Sequence, residues 1–138
     1  MHTELTPMKG GHLWAAREAA AEPYEQTYRS LLEARDACLT VGCIDEVVVG
    51  FGAARVETLR TGERLGVITD LFVEPDAREV GVGEALAAAL VEFCTSRGCL
   101  GVDARALPGH RAAKNFFEEQ GFTARAIVMH HRLDGDKE

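Results

Sequence analysis

The spacing of apolar residues changes along the chain, and these changes predict helices and strands in a defined order. Residues 12–35 are rich in Ala, Glu, Arg and Leu and predict a helix that is broken near Pro23. Segments rich in Val, Ile and Thr predict strands at 39–45, 46–59, 65–73, 99–106 and 122–133. Two further helices are predicted, one at 85–97, where apolar side chains form one stripe, and one at 109–120.

This order of elements predicts an α/β or α+β fold with helices packed on a sheet. The density of apolar residues in 65–73 indicates a central strand that is buried on both faces. A tight turn is expected at Asp45 and Glu46, and glycine caps are expected after two helices, at Gly98 and Gly121. The length of 138 residues predicts a single domain over 1–138, with flexible ends at 1–10 and 134–138.

Composition and charge narrow the classes of function. No apolar run approaches the roughly 20 residues that span a bilayer, and the N-terminus lacks the pattern of a signal peptide. We therefore expect a cytoplasmic protein that has no membrane partner. The net charge is -7 without a basic run, which disfavours nucleic-acid binding. An acidic surface suits a cationic substrate such as an amine, although it also serves solubility alone.

Four cysteines form two pairs with four residues between their members. The pairs are Cys38 with Cys43 and Cys94 with Cys99. Zinc sites usually show tighter spacing with histidine nearby, so we predict no metal site. In a reducing compartment the cysteines are expected to be free thiols that serve as small apolar side chains.

The segment AREVGVGEAL, residues 77–86, places glycines between a buried strand and the start of a helix. Glycine there removes Cβ atoms, and the unpaired N–H groups of the first helical turn attract anions such as phosphate. Leu86 excludes the dinucleotide motif, and the P-loop motif is absent. The pattern [RQ]-x-x-G-x-[GA] fits from Arg78 to Gly83 at every fixed position. The alternatives are a plain turn and a phosphate cradle.

Two blocks in order, DLFVEPDAREVGVGEALAAAL and AAKNFFEEQGF, resemble the GNAT superfamily of N-acetyltransferases, and the likeness extends over about 39–133. The resemblance implies a mixed, mostly antiparallel sheet with a splayed parallel strand pair, flanked by about four helices. It also implies acetyl-CoA as the donor and a primary amine as the acceptor, with the backbone N–H of Leu71 polarising the thioester carbonyl. The residues implied in binding CoA are Leu71, Phe72, Val73, Arg78, Glu79, Val80, Gly81, Val82, Gly83, Glu84, His110 and Phe117.

Several positions depart from the family pattern. Phe117 stands where relatives carry a tyrosine that protonates the leaving thiolate, and it serves either core packing or the CoA channel. His110 stands where relatives carry an asparagine, and it is either a CoA contact and acid or a surface residue at a helix start. Asp70 follows Thr69 in the central strand and is either the general base or a structural hydrogen-bond acceptor. The chain is therefore expected to be an acetyltransferase, with a non-catalytic acyl-CoA sensor as the alternative.

The two ends of the chain also depart from the family. Residues 3–9 form a poor strand interrupted by Pro7, so the first strand of the family's sheet is expected to be either absent or built differently. A long strand at 122–133 without a hairpin partner would leave an open edge, which seeks another strand. We therefore predict a homodimer in which this segment joins the sheet of a second subunit.

Overall fold

The computed structural model describes residues 1–134, of which Glu18–Arg105 and 1–17 with 106–134 form two compact units. The first unit holds the sheet and the helices Tyr24–Glu33 and Val82–Ser96, and the second holds the helices His2–Leu5, Gly11–Arg17 and Arg111–Glu119. The helices are α1 His2–Leu5, α2 Gly11–Arg17, α3 Tyr24–Glu33, α4 Val82–Ser96 and α5 Arg111–Glu119. The strands are β1 Ala37–Ile44, β2 Val47–Thr58, β3 Arg64–Val73 and β4 Cys99–Ala104.

The sheet has the strand order β1-β2-β3-β4. The first three strands are antiparallel, and β4 joins β3 in parallel after the crossover through α4. Asp45 and Glu46 both have positive φ, at 49° and 69°, as a two-residue turn that follows the twist of a hairpin requires. The predicted mixed sheet and the predicted turn are thus confirmed, and within residues 1–134 no strand precedes β1.

Helix α4 packs closely on one face of this sheet because small residues face it. A Cβ atom at Gly42, Gly52 or Gly66 would lie 2.6, 2.9 or 2.4 Å from a side-chain atom of α4. The buried core of the unit includes Ala53, Ala54, Val67, Ile68, Leu86, Ala87, Leu90 and Cys94. The three glycines therefore identify the sheet face that α4 covers.

Helix α4 begins three residues before its predicted start at residue 85. Its N-cap is Gly81, with φ 90° and ψ -2°, so the glycine turn itself begins the helix and Gly83 lies in its first turn. The prediction began too late because glycine is a poor helix former in a helix interior, a penalty that matters less in the first turn. The C-terminal end agrees with prediction, since Arg97 is the C-cap and Gly98 follows with φ 73°.

In the second unit, the predicted strand at 122–133 is wrong. Residues 122–132 have no helix, strand or turn assignment, so they pair in no β-ladder among residues 1–134. Ile127, Val128 and Met129 are 79%, 82% and 86% exposed. The composition favours a strand, but a strand also needs a partner whose backbone groups complete its ladder. Of the predicted flexible tail at 134–138, residues 135–138 lie outside the described residues.

None of the helices in residues 1–134 has the length and hydropathy needed to cross a membrane. The four cysteines are thiols that form no disulfide, and their environments differ. Cys94 is buried in α4, and burial raises the pKa of its thiol to about 11. Cys43 is exposed, so the expectation that all four would serve as buried apolar side chains is wrong for that residue.

Candidate active site

Strands β3 and β4 separate beyond Ile68, and this separation opens one edge of β3. Their parallel ladder runs from Arg64 to Ile68, whose partner Ala104 is the last residue of β4. Strand β3 continues to Val73 and remains paired with β2 on its other edge. The stretch 69–73 therefore has one hydrogen-bonding edge with no strand partner among residues 1–134, in the gap that the resemblance implies.

A β-bulge precedes this gap. Ala54 pairs with Ile68 while its neighbour Ala53 pairs with Asp70, so Thr69 is an extra residue in β3. The Thr69 hydroxyl lies 3.4 Å from the Ala53 carbonyl oxygen. The bulge therefore changes which residues of β3 bond towards β2. Before the bulge these are the odd-numbered residues, and after it they are the even-numbered ones.

The hydrogen-bonding phase after the bulge shows which backbone groups of β3 face the gap. The Glu74 N–H donates to the Val49 carbonyl oxygen at 2.7 Å, so Glu74 bonds towards β2. Because the phase has a period of two, Phe72 also bonds towards β2, whereas Leu71 and Val73 direct their N–H and C=O groups into the gap. The Val73 carbonyl accepts a hydrogen bond at 2.8 Å from Arg78 Nε, which agrees with this phase.

The turn from Arg78 to Glu84 lies between this edge and helix α4. Nothing lies within 4 Å of the Cβ position at Gly81, so the space over this turn is open. The first backbone bond of the helix is donated by Ala85 to the Gly81 carbonyl, and no side chain caps the helix. The N–H groups of Val82, Gly83 and Glu84 precede that bond and are the unpaired donors of the first turn. This arrangement fits an anion such as a pyrophosphate.

The other predicted members of the turn have defined positions. Glu79 has a positive φ of 67°, and Val80 is exposed. The Arg78 guanidinium carbon lies 5.4 Å from the centroid of the Phe72 ring. The turn thus places a cation beside the open edge of β3, with the glycine N-cap three residues further along the chain.

Asp70 is only 6% exposed, and its partner is a residue that the sequence analysis did not identify. The Tyr28 hydroxyl of α3 donates a hydrogen bond to Asp70 Oδ2 at 2.8 Å. Burial, together with the charge and hydrogen bond of Asp70, raises the pKa of Tyr28 well above its usual value of 10. A buried carboxylate needs a hydrogen-bond donor, and this rule alone predicted a partner for Asp70. Nothing in the sequence identifies that partner as Tyr28.

Asp70 faces away from helix α4. Gly52 faces α4, and its directly opposite partner Leu71 shares that face. Neighbouring residues after the bulge alternate, so Asp70 and Phe72 lie on the opposite face, where Tyr28 reaches the carboxylate. Asp70 and Leu71 therefore face opposite sides of the sheet.

His110 and Phe117 belong to the other unit, which comprises 1–17 and 106–134. His110 is the N-cap of α5, and its side chain makes no capping bond. The Phe117 ring lies 5.3 Å from that of Phe116 and 5.2 Å from that of Phe122. Packing of its half-buried ring against Phe116 and Phe122 is therefore observed for Phe117, and the roles of both His110 and Phe117 towards CoA stay predictions.

The mixed sheet, its splayed parallel strand pair and the glycine N-cap of α4 match the α/β fold of N-acetyltransferases. The family model described as "Acetyltransferase (GNAT) family" matches residues 9–122. The chain belongs to this family.

Individual relatives agree with this assignment. A glucosamine 6-phosphate N-acetyltransferase of Trypanosoma brucei brucei is 37% identical over 75 residues, which are 54% of this chain and 48% of that protein. The chain thus matches about half the length of this curated relative. The structure of AAC(6')-Iy with a bisubstrate analogue has a TM-score of 0.71 at 21% identity and covers 91% of this chain and 94% of that one. The crystal structure of an acetyltransferase of Trypanosoma brucei has a TM-score of 0.65 at 27% identity and covers 96% of this chain and 90% of that one.

Proposed function

We propose that this protein is an acetyl-CoA-dependent N-acetyltransferase that acts on a primary amine of a small molecule or protein. The observation that carries the proposal is the pairing of two backbone features within one short stretch. The N–H and C=O groups of Leu71 and Val73 face the open gap, and the uncapped N-terminus of α4 begins at Gly81. The names of the relatives, an acetyltransferase of glucosamine 6-phosphate and one crystallised with a CoA bisubstrate analogue, support the same reaction.

The residues of the gap and turn fit acetyl-CoA, which supplies an acetyl group on a thioester whose thiolate can leave. In the proposal, the backbone N–H groups from Val80 to Glu84 hold the pyrophosphate, and Arg78 adds a charge-assisted contact. The backbone of Leu71 to Val73 pairs with the pantetheine arm as a further strand would. The Leu71 N–H then donates to the thioester carbonyl and stabilises the negative charge that develops there.

The proton transfers are assigned to side chains. The acceptor ammonium loses a proton, its nitrogen forms a bond to the acetyl carbon, the carbon–sulfur bond breaks, and the thiolate gains a proton. We assign the first transfer to Asp70, whose Oδ2 accepts from Tyr28 and whose Oδ1 would accept from the amine. We assign the last transfer to His110, since Phe117 carries no acidic proton. Holding both reactants in one complex supplies most of the catalysis.

A second candidate function is a non-catalytic acyl-CoA sensor. The observation that favours it is the packing of Phe117 between Phe116 and Phe122, in the position where relatives carry an acidic tyrosine. The same turn and gap would bind the donor in both cases. The two candidates differ only in whether an amine is acetylated.

We also propose a homodimer that forms through residues 122–133. In support, Ile127, Val128 and Met129 expose apolar surface in a segment that pairs with no strand of residues 1–134. Substitution of Val128 by Glu should shift a dimeric mass at micromolar concentration to a monomeric one. A monomeric mass for the unaltered protein would contradict the proposed dimer.

Two measurements test the main proposal. Saturating acetyl-CoA should raise the midpoint of thermal unfolding, because a ligand that binds only the folded state stabilises it. Thiol release with a panel of primary amines then separates the enzyme from the sensor. The absence of a thermal shift at millimolar acetyl-CoA would exclude both candidates, whereas a shift without thiol release would favour the sensor.

A further inference from the structure

Three aromatic rings lie on the sheet face opposite α4, beside Asp70. Phe72 of β3 is directly opposite Phe51 of β2, and their ring centroids are 6.4 Å apart. Tyr28 of α3 meets the edge of Phe51 at 5.6 Å and donates its hydroxyl to Asp70. All three rings are half-buried, so they retain accessible surface. We call Tyr28, Phe51, Phe72 and Asp70 the aromatic cluster.

The aromatic cluster surrounds one side of the backbone donor assigned to the thioester. Asp70 and Phe72 flank Leu71 in the chain and share a face, with about 7 Å between their Cα atoms. A carbonyl held by the Leu71 N–H therefore has a carboxylate and an aromatic ring as its neighbours on this face. Helix α4 covers the other face, so an amine that approaches from the face on which Tyr28 of α3 lies reaches the aromatic cluster first.

The chemistry of the cluster suits a cation that is attached to apolar carbon. Aromatic faces attract cations, and the Arg78 guanidinium already lies over the Phe72 ring, so the cluster binds one cation from the chain itself. Asp70 adds a negative charge. The Tyr28 hydroxyl donates its hydrogen bond to the Asp70 carboxylate and is not free to bind the ligand. The carbon atoms next to the ammonium group of a bound amine would therefore contact mostly ring carbon. A hydroxyl-rich neighbour there would lose hydrogen bonds to water without replacing them.

We propose that the aromatic cluster is the acceptor subsite and selects an alkyl or aralkyl ammonium over an amino sugar. The inference rests on the acetyl transfer proposed above and gives its acceptor class. It separates this chain from relatives whose names specify glucosamine 6-phosphate or aminoglycosides. Phe51 is the most informative position, since its ring contacts both other rings and its backbone is not assigned to the donor.

The first arm of the test compares acceptors by thiol release. Phenethylamine and butylamine should show higher kcat/KM than glucosamine, glucosamine 6-phosphate or an aminoglycoside. Phe51→Leu should lower kcat/KM for phenethylamine roughly two- to thirtyfold, mainly through KM, the range expected for loss of one cation–ring contact. Phe93→Leu is the matched control, because Phe93 is also half-buried, carries Arg97 over its ring at 4.7 Å and lies on α4. Amino sugars that react as well as the aralkyl amine would overturn the proposal.

The second arm measures binding without turnover. Phenethyl-trimethylammonium should bind the acetyl-CoA-loaded protein in calorimetry, more weakly in Phe51→Leu and equally in Phe93→Leu. The neutral phenethyl alcohol should bind more weakly than the ammonium in the unaltered protein. If acetyl-CoA binds but the ammonium does not, the subsite is wrong and the donor site stands. If acetyl-CoA itself fails to bind, the proposed function fails first. Should Phe51→Leu not fold, comparison of the ammonium with the alcohol in the unaltered protein still decides.

Discussion

Substitution of Gly81 by Val tests whether the turn before α4 binds the donor. Gly81 has φ 90° and ψ -2°, a conformation that β-branched residues rarely adopt, and its Cβ position contacts nothing within 4 Å. The substitution therefore costs backbone strain without a clash inside the protein, about 1–3 kcal/mol. For a chain of 138 residues, 1 kcal/mol corresponds to roughly 3–4 °C, so the midpoint of unfolding should fall by about 3–12 °C.

The same substitution places a side chain in the space where the pyrophosphate would bind. With acetyl-CoA at 100 times its Kd, the unaltered protein should gain about 2.7 kcal/mol, or roughly 9 °C. A hundredfold weaker Kd in Gly81→Val would leave a gain of only about 0.4 kcal/mol at the same concentration. Differential scanning fluorimetry with and without acetyl-CoA measures both effects, and calorimetry gives the Kd directly.

Gly62→Val provides the matched control for strain. Gly62 lies in the turn between β2 and β3, has φ 89°, and its Cβ position also contacts nothing within 4 Å. Both variants should lose stability to a similar extent, and only Gly81→Val should lose the response to acetyl-CoA. Alanine at both positions serves if valine prevents folding. A wild-type Kd for acetyl-CoA in Gly81→Val would refute the assignment of the phosphate site.

Three further predictions concern the sheet. Replacing the amide N–H of Leu71 by an ester oxygen should lower kcat about 10²–10³-fold with little loss of stability. The same change at Phe72 removes a hydrogen bond to β2 and should destabilise the fold. Equal losses of kcat in the two variants would contradict the assignment of the Leu71 N–H to the gap and the Phe72 N–H to β2. Because burial raises the pKa of Tyr28, its contribution to stability is fully present below about pH 10, its usual pKa, and is lost as the pH rises above it. Urea unfolding should show a smaller alkaline loss in Tyr28→Phe than in the unaltered protein, since the buried Cys94 thiol still contributes to the loss, and identical profiles would refute the role of Tyr28. Gly66→Ala places a Cβ 2.4 Å from Cys94 Sγ and should lower the free energy of unfolding by about 1–3 kcal/mol. Adding Cys94→Ala to the same chain should restore part of this loss in urea unfolding. If Gly66→Ala alone leaves the free energy of unfolding unchanged, the close packing of α4 on the sheet does not limit this position.

The elements that local chemistry determines were predictable from the sequence. The turn at Asp45 and Glu46, the central strand and the glycine turn at Gly81 each depend on residues within a few positions of one another. The partner of Asp70 was not predictable, because Tyr28 lies 42 residues away and reaches it only after α3 packs on the sheet. The strand at 122–133 was wrong for a related reason, since its apolar pattern carries no information about whether a ladder partner is present.

The proposed donor site could be predicted from the sequence because it depends on backbone geometry. An N-terminal turn binds an anion through N–H groups that every residue except proline carries, so glycine at the N-cap is the main signal. The proposed acceptor subsite depends instead on particular side chains that come from α3, β2 and β3. Nothing in the sequence singles out Tyr28 or Phe51, and only the folded sheet brings their rings together with that of Phe72.

The bulge at Thr69 connects the two sides of the proposed site. Before the bulge, Val67 is paired with Arg55, and the odd-numbered residues of β3 bond towards β2; after it, the even-numbered residues do so. In a regular ladder without the bulge, Leu71 would be opposite Phe51 and would direct its N–H towards β2 rather than the gap. Asp70 would then be opposite Gly52 and face α4, where a buried carboxylate would lack Tyr28 as its donor. The bulge thus determines both which N–H is available to the proposed donor and which face presents the Asp70 carboxylate to the proposed acceptor.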